Sequence, residues 1–143
     1  MTSRVRRITS IVALALYVSA CAATTVRDRV RVSGLALSET VIALSQKEST
    51  LHQKGIIDQA LHDRLDPIID KVLFAARSYV RGVAEWKKDA TGSEAVTQAT
   101  AALQTVLRDI SEIISTSSTM NPEARTALLS AILAIRAAIT GAG

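Results

Sequence analysis

The chain predicts an all-α fold, an up-and-down antiparallel bundle of about four helices. Apolar residues recur at three- and four-residue steps from residue 33 onward, the period that places them on one face of a helix. Breakers at Gly55, at Thr91-Gly92 and at Asn121-Pro122 divide this pattern into segments of similar length joined by short turns, which favours antiparallel neighbours. A single cysteine excludes a disulfide within the chain, and one Trp, two Tyr and one Phe leave the core to Leu, Ile, Val and Ala. Such small side chains let helices approach closely, in coiled-coil-like packing.

The helical pattern is preceded by an export signal. Arg4, Arg6 and Arg7 give a positive start, and Ile8 and Ile11 to Val18 a short apolar run, before Ser19, Ala20 and Cys21. The run is shorter than the roughly 20 apolar residues of a spanning helix. Val18-Ser19-Ala20-Cys21 resembles the lipobox of bacterial lipoproteins, an aliphatic residue and two small ones before an invariant cysteine.

That resemblance implies that residues 1–20 are a cleaved lipoprotein signal peptide and that Cys21 is lipidated, on its sulfur and on its new amino group. Membrane attachment through a palmitate-type acyl anchor on Cys21 follows. In Gram-negative lipoproteins an aspartate after the cysteine tends to hold the protein at the inner membrane, and here Ala22 follows, which points to the outer membrane and a domain facing the periplasm. The rival readings are ordinary secretion, with cleavage after a small-x-small pattern, and an uncleaved anchor running on through Ala22 and Ala23.

Charge is consistent with export. The full chain carries 17 Lys+Arg against 13 Asp+Glu, and setting aside Arg4, Arg6 and Arg7 leaves 14 against 13. The apparent basicity is mostly a targeting feature, and no nucleic-acid partner is expected, since that would want a clustered basic face. Cleavage before Cys21 leaves 123 of 143 residues, enough for one modest core.

Residues 21–32 read as a tether: Ala22 to Thr25 are small, and in Val26-Arg27-Asp28-Arg29-Val30-Arg31-Val32 charges alternate with valines. A solvated linker is the favoured reading, a short strand and contact with anionic headgroups the others. The bundle domain then occupies residues 33–143.

Leu37, Val41, Leu44, Glu48 and Leu51 place a first helix over about Ser33 to Lys54, with Gly55 as its C-terminal stop. A second helical region starts near Ile57-Asp58 and carries Leu61, Leu65, Ile68, Ile69, Val72, Leu73, Ala76, Tyr79, Val80, Val83 and Trp86, to about residue 89. Pro67 interrupts it, predicting either a kink or a short helix over 58–65 followed by a long one capped by Asp66. Thr91 and Glu94 have capping-box spacing ahead of a third helix carrying Val96, Ala99, Leu103, Val106, Leu107, Ile110, Ile113 and Ile114 on one stripe, which fades in the Ser/Thr run 115–119. Asn121-Pro122-Glu123 starts a last helix to Thr140. Apolar around most of its circumference, this helix should be the most buried element or touch something apolar outside the monomer.

The chain offers little chemistry. It has no nucleophile elbow, phosphate loop, paired-cysteine motif or His-Glu-x-x-His. Asp58, His62, Asp66 and Asp70, spaced by four, share a helix face on which imidazole and carboxylates are possible cation ligands. The same residues describe a solvated face at a helix start, so no metal, cofactor or catalytic residue is expected; Cys21 is the one assigned site. Tyr79 and Trp86, seven apart, read as core. The expected function is that of a non-enzymatic envelope lipoprotein acting structurally, by binding an envelope protein or by self-association. The alternative is a membrane-active lipoprotein of lysis or exclusion type that uses its apolar last helix.

Overall fold

A computed structural model describes residues 25–87 and 90–140. Four helices follow in order: α1, Val26–Gln53; α2, Gln59–Glu85; α3, Glu94–Thr116; and α4, Pro122–Thr140. Each packs against its neighbours in the ring α1–α2–α3–α4–α1, while the diagonal pairs stay apart. Contacts between the start of α1 and the ends of α2 and α4 make the ring antiparallel throughout, an all-α up-and-down bundle.

α1 begins at Val26, so residues 26–32, expected as part of a tether, are helical. Thr25 is the N-cap: the Asp28 amide donates to its Oγ1 (3.1 Å), and its own hydroxyl donates to the Asp28 carboxylate (2.6 Å). The core stripe also reaches further back, because Val30, Ser33 and Gly34 are buried on the same face as Leu37, Val41 and Leu44. The helix stops where expected: Gly55 takes a left-handed φ of 67°, and its amide donates to the His52 carbonyl at 2.8 Å.

α2 runs unbroken through Pro67. Its cap is Asp58, whose carboxylate accepts from the Leu61 amide at 2.8 Å, and the corner considered at Asp66 does not form. Pro67 lies on the exposed side of the helix. The carbonyl of Asp63 that it leaves without an amide partner therefore belongs to the solvent side, where water satisfies it, while Leu65, Ile69 and Val72 bury the other side and hold the helix together.

At α3 the cap is Ser93, whose hydroxyl accepts from the Val96 amide, and not Thr91. α4 has the expected bounds, with the Asn121 carboxamide accepting from the Glu123 amide at 2.7 Å. It is amphipathic in its setting. Ala124, Leu128, Ile132, Ile135 and Ile139 face inward, but Leu133 is 61% exposed, and α2 is the more deeply packed helix. Among the described residues no helix is long and apolar enough to cross a membrane.

The core is a continuous aliphatic column in which Leu37, Leu44, Leu65, Leu103, Leu107, Ile110, Ile114 and Ile135 are fully enclosed. Tyr79 and Trp86 are buried as expected. The Ser33 hydroxyl donates across to the Ala138 carbonyl, tying α1 to α4, and the Arg125 guanidinium donates to the Ser117 carbonyl at the end of α3 (2.5 Å). Among the described residues the Tyr79 hydroxyl has no hydrogen-bond partner of good geometry, and burial raises its pKa above the ordinary value, with the nearby Ser33 hydroxyl opposing weakly.

Two glycines in the helices behave differently. A Cβ on Gly82 would stand 3.0 Å from the Val96 amide nitrogen and 3.1 Å from the Ala95 Cβ, so the α2–α3 seam closes only because that position is bare. A Cβ on Gly34 would meet the Tyr79 ring at 3.6 Å, an ordinary contact. Gly82→Ala is therefore expected to lower stability by about 1–3 kcal/mol through forced separation of the helices. Gly34→Ala should raise it by up to about 1 kcal/mol through helix propensity. Thermal denaturation followed by circular dichroism distinguishes them, and equal shifts in the same direction would refute the packing argument.

Candidate functional site

Cys21 and the residues that resemble a lipobox with it, Val18, Ser19 and Ala20, lie outside the described residues. What the structure places is the end of the bundle next to them. Thr25 caps α1 at the end where α2 and α4 finish and α3 begins. Arg27, Arg29 and Arg31 stand on the first turns of α1, Arg77 and Arg81 on the last turns of α2, and Lys87 just beyond, against Asp28, Glu85 and Glu94. The opposite end carries Glu48, Asp58, Asp63, Asp66, Asp70, Asp109, Glu112 and Glu123 against Lys47, Lys54, Arg64, Lys71, Arg108 and Arg125. With Arg4, Arg6 and Arg7 set aside the chain carries 14 Lys+Arg against 13 Asp+Glu, and the described bundle is distinctly basic at one end with a modest excess of acid at the other.

At the acid-rich end the structure brings together some of the residues singled out for cation binding and separates others. Asp58 is engaged as the α2 cap, and Asp70 is exposed and outside the cluster. His62 and Asp66 do come together, joined by Glu48 from α1; one ligand-capable atom from each of the three lies within 4.8 Å of the others. Glu48 was read in the sequence as a member of the apolar stripe. A carboxylate at a stripe position was the available signal, but its partner lies on the next helix, and local spacing does not reach that far.

The Glu48 carboxylate is 2% exposed, and the Nδ1–H of His62 donates to it at 2.8 Å. The His52 ring lies parallel on the His62 ring, with centroids 4.0 Å apart and 6° between planes. His52 also stands over the α1–α2 turn, its Nδ1 3.4 Å from the Ile57 carbonyl oxygen. An imidazole and two carboxylates are donors that a divalent transition ion accepts. As arranged, though, the nitrogen facing Glu48 is engaged in a charge-assisted hydrogen bond, and the cluster's work is to latch α1 to α2.

The hydrogen bond that His62 donates to Glu48 raises its pKa above 6.5; desolvation opposes the rise, and the charges of Glu48, Asp66 and Asp63 add to it. A raised folded-state pKa means that the protonated pair's contribution is fully present below pH 6.5 and fades as pH climbs through the folded value. Glu48→Gln should return the His62 titration seen by NMR towards 6.5. The melting-temperature gap between wild type and variant should be widest just below pH 6.5 and narrow as pH climbs through the raised folded-state value. A His62 titration unmoved by the substitution would contradict this account.

Compared with known proteins, the chain matches no family model, no curated protein and no solved structure significantly.

Proposed function

We propose that the chain is an exported bacterial lipoprotein, acylated at Cys21, whose helical bundle stands against a membrane with its basic end inward and its acid-rich end outward. The observation that carries this reading is the position of the basic end. Only four residue steps separate Cys21 from Thr25, at most about 14 Å of extended chain. Arg27, Arg29 and Arg31 follow at once, and Arg77, Arg81 and Lys87 stand at the same end of the bundle. With the sulfur and the amino group of Cys21 both acylated the anchor is sufficient by itself, so the basic residues beside it serve to orient the bundle on an anionic surface.

On this reading Ala22 favours the outer membrane, with the bundle facing the periplasm. The domain acts without catalysis, as a structural element or by contact with an envelope protein. Its acid-rich end is offered away from the bilayer, and Phe74, 72% exposed on α2, is an apolar handle for a partner. The membrane-active reading loses the feature that suggested it, since α4 turns most of its Leu and Ile side chains into the bundle.

Labelling with a clickable palmitate in cells making wild type and Cys21→Ser, followed by membrane fractionation, tests the anchor. Label should follow Cys21, and the variant should remain unprocessed or leave the membrane. A wild type that takes no label contradicts the proposal.

A further inference from the structure

The seam between α1 and α2 opens at the basic end. Arg27, Arg31 and Leu35 follow one another at single-turn spacing on the flank of α1 that faces α2, and Val80, Val83 and Ala84 form the opposing wall. Gly34 lies at the base of the opening, where its missing side chain leaves the Tyr79 ring close beneath. The cavity holds about 360 Å³, towards the small end of the range for ligand sites. Leu35 is 67% exposed and Val80 39%, so both offer apolar surface to the open groove.

The two arginines are set for an anion. Arg27 is held by a hydrogen bond from its Nε to the Trp86 carbonyl at 2.9 Å, which fixes the guanidinium at the lip of the groove. Among the described residues no carboxylate stands in ion-pair range of Arg27 or Arg31. A fork of N–H donors above an apolar trough matches one ligand chemistry, a phosphate carrying an aliphatic chain.

We propose that this groove binds an anionic glycerophospholipid, the phosphate between Arg27 and Arg31 and the upper part of one acyl chain along Leu35, Val80, Val83 and Ala84. The inference rests on the proposed membrane placement of this end, and it adds that the contact is a site and not a diffuse attraction. A site of this volume takes part of one chain, so the lipid remains in its leaflet and the bundle is pinned to it in a fixed orientation. Because the phosphate contact is ionic and rimmed by solvent, added salt weakens it.

Trp86 is the only tryptophan, its carbonyl accepts from Arg27 and it follows Val83 and Ala84 of the groove wall in sequence, so its fluorescence serves as the probe. Full-length protein purified in a neutral detergent is titrated with phosphatidylglycerol brominated on its acyl chains, and separately with phosphatidylcholine brominated in the same way. The expected result is saturable quenching of Trp86 by the anionic lipid at about tenfold lower concentration than by the zwitterionic one. Arg31→Gln and Leu35→Glu should each weaken quenching about tenfold, and Lys54→Gln, at the other end of α1, should not change it. The two groove substitutions are on exposed positions, and an unchanged helical circular dichroism spectrum confirms the fold of each.

Equal quenching by both lipids overturns the proposal, as does quenching by the anionic lipid that ignores Arg31→Gln and Leu35→Glu. So does a concentration-dependent dimer, lost in Leu35→Glu, which would make a second copy of the chain the occupant. Repeating the titration with Cys21→Ser keeps the two readings apart. Specific quenching without palmitate label would sink the anchor alone; label without specific quenching would sink the groove alone.

Discussion

The stretch between Cys21 and the cap of α1 limits how far the bundle can stand from whatever holds Cys21. Helix begins at Val26, so the slack expected over residues 21–32 shrinks to a few residues. On the proposed anchoring the domain cannot swing freely above a membrane; one particular end of it is brought to the surface. That end is where α1 and α3 begin and α2 and α4 finish, and it carries the arginines of α1 and α2. A tether of a dozen flexible residues would have made the basic end incidental. A short one makes its charge a determinant of orientation.

The same helix start shapes the packing. Extending α1 back to Val26 brings Val30 and Ser33 into the core and lets Ser33 reach α4 through the Ala138 carbonyl. With no disulfide, cohesion comes from the aliphatic column and from how closely the helices approach, closest at Gly82 where α2 meets the α3 backbone. The ends are fastened by polar contacts. Glu48 and His62 latch α1 to α2 at the acid-rich end, and Arg27 binds the Trp86 carbonyl at the basic end. One seam is therefore stapled at both ends, and the groove opens beside the basic staple, where Gly34 and Ala84 supply little bulk.

Most of the architecture was legible because it is written in local periodicity. α3 and α4 announce themselves through Leu103, Leu107, Ile110 and Ile114 and through Asn121-Pro122, and the all-α bundle followed from such segments. The start of α1 was not legible, because of its core positions Val30, Ser33 and Gly34 only Val30 carries a hydrophobic signal, and that valine sits in an alternation with arginines that a linker or strand would also show. Pro67 was read as a break because propensity is local, whereas burial of Leu65 and Ile69 overrides it. The cap at Ser93 was displaced by the better-spaced Thr91 and Glu94. His62 and Asp66 were picked out together since they share a helix, but the latch needs Glu48 from the neighbouring one. The groove was likewise invisible, since Arg31 and Val80 meet only in the folded chain.

The central claim is one of orientation, that the basic end faces the membrane and the acid-rich end faces away. Cys21, the only native cysteine, is consumed by acylation on this account, so a single introduced thiol carries a fluorophore cleanly. Labels at Val32→Cys, near the basic end, and at Ser118→Cys, at the opposite end, are compared in membranes containing a lipid with a nitroxide at its headgroup. The account predicts strong quenching at position 32 and little at 118. Equal quenching at the two positions, or the reverse order, would contradict it.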